Sequence, residues 1–320
     1  MLYILSSPKN QATMHYLLNM KLPARFALFV LLYIAFSMGC EKEVPVDAEG
    51  VKISQDDSDV KTWKWDEVIL PLYNWQEGVT FGGNLHVDVE YDFNGISIVD
   101  DELRFHMDPN FPIPAATTES RHNFRSEIRT APWRIHHPLG TEQWIGWQYT
   151  FGSSYVIDPT SPITIFQNHP GIRGKTPIFE IEIAKASESN NTVGGEIQVV
   201  NKGGGDRIAY PITPKAGETL DVVIHVVYGL ESTGLLQVWL NGEMVYDRKV
   251  STVFDGYEWG GNNKWGIYHH TFNGNPEAVQ ASLDIGAGKV ELAMGTLRML
   301  TRTPEHDEYQ TNAYHFVKPD

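Results

Sequence analysis

Arg125-Ser126-Glu127-Ile128-Arg129 is the stretch from which the rest of the chain can be read. Five residues of strict alternation predict a β-strand, because side chains at i, i+2 and i+4 of a strand share one face. Arg125, Glu127 and Arg129 then point together, while Ser126 and Ile128 point the other way. Two guanidiniums flanking a carboxylate make a planar donor array suited to gripping carboxylates or sulfates. The same stretch also reads as a solvated sheet face laced with cross-strand ion pairs. Its neighbours decide which reading to carry forward.

Outward from this strand, the chain reads as strand after strand. Upstream, residues 85–91, 96–99 and 102–107 carry strand patterns, closed by turn chemistry at Phe93-Asn94-Gly95 and Asp108-Pro109-Asn110. Downstream come 144–151, 163–169, 179–183 and 195–200, the last running into Asn201-Lys202-Gly203. Residues 220–228 are nearly all apolar and predict a central strand covered on both faces. Residues 235–246 predict a hairpin, with Asn241-Gly242 as its two-residue turn. No internal period suggests a solenoid or propeller. Many short, evenly spaced strands predict an all-β fold, a β-sandwich jelly roll of the concanavalin-like kind.

Composition sets the limits. The chain has 320 residues, 42% of them hydrophobic and 12% aromatic, which is enough for a sizeable core. One large domain over 62–302 is expected, since all-β domains run to about 200–250 residues. A polar tail follows over 303–320. Residues 1–40 read as a bacterial lipoprotein signal: a basic start at 20–25, an apolar run at 26–36 too short to span a bilayer, then Ser37-Met38-Gly39-Cys40. Met20 is a candidate true start. The alternative is an ordinary secretory signal with a chance cysteine. Cys40 is the sole cysteine, so no internal disulfide is possible, and it stands where a lipid would be attached. Residues 41–61 are acidic and without apolar period, the composition of a flexible tether.

The expected protein is exported, monomeric and lipid-anchored to the bacterial outer membrane through Cys40. Its net charge of −15 argues against nucleic acid as a partner. The signal segment carries Lys9, Lys21 and Arg25 and no acidic residue, so its removal leaves the mature chain more acidic still. A polyanionic ligand would therefore need a local basic cluster, which makes the position of each arginine informative.

Two further stretches supply candidates. In Phe166-Gln167-Asn168-His169-Pro170, Gln167 and His169 share a face, and Pro170 ends the ladder behind them. An amide beside an imidazole can bind a carboxylate and take up a proton, although a lone histidine is more often structural. In Lys264-Trp265-Gly266-Ile267-Tyr268-His269-His270, the residues Lys264, Gly266, Tyr268 and His270 share a face. Gly266 there would let a ligand approach the backbone. A strand tyrosine taken alone is usually packing.

In this order, the three stretches resemble the jelly-roll polysaccharide lyases over roughly residues 63–300. Alginate lyases of family seven carry an Arg-(Ser/Thr)-Glu-Leu-Arg strand, a Gln-(Ile/Val)-His strand and a Lys-x-Gly-x-Tyr strand. Heparin lyase I and the glucuronan and ulvan lyases form a similar group. This chain departs at Asn168 in place of Ile or Val, at Asn262-Asn263 in place of Tyr-Phe, and at His269-His270 in place of Asn-Gln. The resemblance implies β-elimination on a uronic-acid-containing polysaccharide, with Arg125 and Gln167 neutralising the sugar carboxylate. It implies His169 as helper or base and Tyr268 as the acid for the leaving oxygen, or as both acid and base. Arg129 and Glu127 would shape the floor, and Lys264 would lower the cost of a tyrosinate or hold an acid group at a neighbouring subsite. Asn123, Arg173, Lys175 and His270 are further candidates for substrate contact.

Two rival readings remain open at this point. Glu180 and Glu182 resemble half of a laminarinase-type motif and would share a strand face, as a retaining glycoside hydrolase needs, but the third acid of that motif is missing. A non-catalytic surface glycan-binding lipoprotein is the other. No cofactor is required, and a structural calcium near the acidic run 88–92 is an option.

Overall fold

The computed structural model describes residues 59–65, 79–80, 86–89, 95–110, 124–131, 137–172 and 175–320. All of them fall in one compact unit, Asp57–Asp320. The signal segment with Cys40, the tether as far as residue 58, Asn123, Arg173 and the side chains of the 88–92 run lie outside the described residues.

Among the described residues, alternation of apolar with polar residues builds two large antiparallel sheets and one separate two-stranded pair. The strands are β1 (Lys61–Trp63), β2 (Val79–Thr80), β3 (His86–Val89), β4 (Ile96–Val99), β5 (Glu102–Met107) and β6 (Arg125–Ala131). There follow β7 (His137–Pro138), β8 (Glu142–Phe151), β9 (Ile163–His169), β10 (Phe179–Ile183), β11 (Ile197–Asn201) and β12 (Asp206–Ala209). The last are β13 (Thr219–Val227), β14 (Leu235–Leu240), β15 (Glu243–Arg248), β16 (Trp259–Gly260), β17 (Asn262–Tyr268), β18 (Val290–Met294) and β19 (Leu297–Arg302). Among the described residues, the first sheet runs β12-β11-β10-β9-β17-β6-β3-β2. The second runs β15-β14-β13-β8-β18-β5-β4, with β19 paired to both β8 and β1. The fold is an all-β jelly-roll sandwich.

Aromatic side chains from facing strands fill the space between the sheets. Trp147 of β8 stacks on Phe166 of β9 at 5.1 Å, and Phe166 meets Trp265 of β17 at 5.8 Å. Each such ring removes on the order of 200 Å² from water, roughly 5 kcal/mol of transfer free energy at about 25 cal/mol per Å² before chain entropy is counted. The hairpin turn forms as its sequence requires: Asn241 and Gly242 both take positive φ, 51° and 82°, the geometry that matches strand twist. The strand at β13 is central, between β8 and β14.

The tail packs onto the domain. Helix α1 (Pro276–Asp284) and the short helix α2 (Tyr314–Val317) were not expected from the sequence. Val317 and Ala313 join Trp144, Val223 and Leu300 in a second apolar cluster, so residues 303–320 cover the outer face of β8, β13 and β19. Gly146 makes this approach possible, since a Cβ there would stand 1.8 Å from the carbonyl oxygen of Val317. Polar groups lock the tail: Gln310 N–H donates to Glu142 at 3.0 Å, and Tyr309 Oη donates to the Gly140 carbonyl at 2.7 Å.

Candidate active site

Strand pairing places the three sequence stretches side by side. β17 lies between β6 and β9, with Lys264 opposite Arg129, Gly266 opposite Glu127 and Tyr268 opposite Arg125. On its other side, Lys264 pairs with Gln167, and Tyr268 pairs with Thr164 across a bulge. Paired residues share a face, so Arg125, Glu127, Arg129, Lys264, Tyr268 and Gln167 converge on the side of the sheet away from the core. A solvated face would leave such groups exposed. Instead Glu127, Lys264 and Gln167 are each 2% exposed, and charges held out of water act on one another strongly.

Glu127 organises the cluster. Its two oxygens accept from Gln167 Nε2 at 2.5 Å and from a guanidinium nitrogen of Arg125 at 3.2 Å. The Arg125 guanidinium lies over the Tyr268 ring, 3.9 Å from its centroid. The phenol oxygen of Tyr268 accepts from Asn273 Nδ2 at 3.0 Å. Asn273 escaped the sequence reading because it lies beyond the strand, after the 3-10 turn η1 (His270–Phe272).

The bulge that aims Tyr268 is pinned from the opposite sheet. Tyr149 Oη accepts from Gly266 N–H at 2.9 Å and donates to the Ile165 carbonyl at 2.8 Å. Gly266 has φ +128°, and a Cβ on it would meet the Ser126 carbonyl oxygen at 2.1 Å. The backbone itself therefore demands glycine here, and ligand approach is not needed to explain it.

His169 is 8% exposed. Its Nδ1 accepts from Gly171 N–H at 3.1 Å, so Nε2 carries the proton and donates to the Lys175 carbonyl at 2.9 Å. Lys175 itself is exposed and contributes its backbone to this contact. The doublet after Tyr268 splits. His269 is buried against Phe272, and burial pushes its pKa down to about 3, so it is neutral. His270 stands exposed, 6.1 Å from the Tyr268 ring between centroids.

The departures at Asn168 and Asn263 face the core. Asn168 Nδ2 donates to Tyr228 Oη at 2.9 Å and to Asn263 Oδ1 at 2.7 Å, and Asn263 Nδ2 and Tyr228 Oη both donate to Gln143 Oε1. Asn168 and Asn263 form one polar network between the sheets with Tyr228 and Gln143.

Glu180 and Glu182 continue the polar face on β10. Glu180 Oε1 pairs with Lys202 Nζ at 2.5 Å; Glu182 Oε2 accepts from Gln198 Nε2 at 2.7 Å and from Arg207 at 2.8 Å. Burial, then the neighbouring charge of Glu182, raises the Glu180 pKa to about 7 against the pull of Lys202. Both carboxylates are thus tied down by partners. Among the described residues no three His, Cys, Asp or Glu groups come together to hold a metal ion.

A family model described as polysaccharide lyase matches residues 61–284. The chain belongs to this family. The lyase has no match among curated proteins. Solved structures similar to it include the endo-β-1,4-glucuronan lyase of the fungus Trichoderma reesei, at 16% identity and TM-score 0.45, covering 73% of this chain and 90% of that one. The alginate lyase Aly36B is 14% identical with TM-score 0.48, covering 78% and 99%. The family 7 alginate lyase A1-II′ is 15% identical with TM-score 0.45, covering 68% and 85%. Membership in the family makes the protein an enzyme acting on polysaccharide, which sets aside the hydrolase reading of Glu180 and Glu182 and the non-catalytic reading.

Proposed function

We propose that the lyase cleaves a uronic-acid-containing acidic polysaccharide by β-elimination, with Tyr268 moving the proton. In that reaction the C5 proton leaves and its bonding pair becomes the C4–C5 double bond. The C4–oxygen bond breaks, its pair goes to the oxygen, and that oxygen takes a proton. The C5 proton is barely acidic beside a charged carboxylate, so donors that neutralise the carboxylate lower the barrier. Arg125 and Gln167, already oriented by Glu127, are assigned that role.

The observation that carries the reading is the setting of Tyr268. A guanidinium over its ring and an amide N–H on its oxygen both stabilise negative charge on the phenol as a proton departs. As the phenolate, Tyr268 takes the C5 proton and then gives it to the leaving oxygen, ending the cycle as the phenolate again. His169, with both ring nitrogens on backbone partners, is assigned the positioning of Gly171 and Lys175 beside the site. Lys264 and Arg129 add positive charge to the floor, and His270, Lys175, Arg173 and Asn123 are assigned as further substrate contacts. No cofactor enters this scheme.

The test mixes the protein with a panel of polyuronates and follows ultraviolet absorbance of the unsaturated product. A rise supports elimination; new reducing ends without that absorbance contradict it. We further propose export as a monomer, with a lipid on Cys40 holding the lyase at the outer membrane. Replacing Cys40 by Ser is expected to move it from the membrane fraction to the soluble one, and unchanged membrane retention would sink the anchor.

A further inference from the structure

The polar row does not stop at Gln167. Tyr268 pairs with Thr164, Thr164 with Glu182 and Glu182 with Gln198, so one face continues from β17 across β9, β10 and β11. The row has two ends. At the β6 and β17 end, Arg125, Arg129 and Lys264 share the face with Glu127, and Asp88 of β3 pairs with Arg129. At the other end, Glu180 is matched by Lys202 and Glu182 by Arg207, which leaves a balanced set of donors and acceptors.

We propose that this second end is a subsite for an uncharged, hydroxyl-bearing sugar, so that the substrate is a heteropolymer in which the cleaved uronate adjoins neutral sugars. The inference rests on the elimination reading above and deepens it. Glu182 lies two strand spacings from Tyr268, roughly 10 Å, which is the reach of an adjoining ring and not of the reacting one.

Three observations favour a hydroxyl over an anion here. Paired carboxylates and cations present acceptors as well as donors, and a hydroxyl uses both, whereas a carboxylate or sulfate only accepts. Gln198 is 3% exposed, and among the described residues its Oε1 has no hydrogen-bond partner. Its amide nitrogen is committed to the Glu182 carboxylate, which fixes the orientation, so the missing partner is a donor. Finally, the raised pKa of Glu180 reports a site where further negative charge is unwelcome. The pKa of His270 is lowered, first by partial desolvation of its ring and, against the pull of Glu182, by the cations Lys202, Arg207 and Lys185. Lys185 is exposed beyond the end of β10.

The experiment compares two oligosaccharides that share the scissile uronate and differ in the adjoining ring, one neutral and one uronate, by absorbance of the unsaturated product. The purified protein is expected to show a kcat/KM at least about tenfold higher on the alternating substrate. Glu182→Gln, which removes one carboxylate charge at nearly constant shape, is expected to narrow that ratio through a lower KM for the all-uronate substrate. Glu180→Gln is the second variant and should act in the same direction if Glu182→Gln does not fold. Equal or better turnover of the all-uronate substrate, or a ratio unmoved in a folded variant, overturns this inference alone. Absence of unsaturated product from both substrates overturns the elimination reading and this inference with it.

Discussion

Arg125 and Tyr268 face each other across the β6–β17 pair, with the guanidinium carbon 3.9 Å from the centre of the phenol ring. The contact joins the group assigned to the substrate carboxylate with the group assigned to the proton. Arg125→Lys keeps the charge but loses the planar stack and the forked donors. It is expected to lower kcat/KM by roughly a hundredfold, read in steady-state assays on the best polymer of the panel. Turnover within twofold of the unmodified enzyme would show that the planar contact is dispensable.

Gly266 sets the direction of Tyr268, so Gly266→Ala should damage fold and activity together. The added Cβ meets the Ser126 carbonyl oxygen at 2.1 Å in a backbone at φ +128°. A loss of about 1–3 kcal/mol or more is expected, measured as the urea midpoint. An unchanged midpoint would mean that the bulge relaxes without cost.

Glu180 gives a pH dependence with a definite sign. Its folded value, about 7, lies above the ordinary 4.5. Between those values the folded state holds a proton that the unfolded state has released, so stability falls as pH rises through the window and levels off above it. Glu180→Gln should flatten this slope and stabilise the protein at about pH 8 relative to about pH 5. Thermal unfolding of both forms at the two pH values checks it, and parallel curves would contradict the assignment.

Asn168 carries a prediction about stability rather than turnover. Asn168→Ile would strip donors from Tyr228 and Asn263 in a buried network. The expected cost is about 1–3 kcal/mol, with KM on the preferred polymer little changed. A large shift in KM with stability intact would place Asn168 in substrate recognition instead.

Much of the molecule can be read from its sequence because strand periodicity is local. The alternation in 125–129, 163–169, 179–183 and 262–268 sets which side chains share a face, and pairing of β6, β17 and β9 then brings Arg125, Gln167 and Tyr268 together. The Asn241-Gly242 turn is legible for the same reason. What periodicity cannot carry is contact between distant segments. Tyr149 holding the bulge, Gly146 admitting the C-terminal segment and Asn273 bonding the Tyr268 oxygen depend on approach across the sandwich or around a turn. Residues 303–320 read as a polar tail because only Ala313, Val317 and a few neighbours bury. Lys202 and Arg207 were passed over for a similar reason: one sits beside a glycine-rich turn, the other on a short strand, and only their ion pairs to Glu180 and Glu182 of β10 give them a role.

The measurement that tests the central claim most directly is the absorbance assay repeated with Tyr268→Phe and His169→Ala beside the unmodified lyase. The account predicts unsaturated product from a uronate polymer, a fall in kcat of at least about a hundredfold in Tyr268→Phe, and a smaller loss in His169→Ala that appears chiefly in KM. Full activity in Tyr268→Phe, or abolition of kcat by His169→Ala alone, would contradict it.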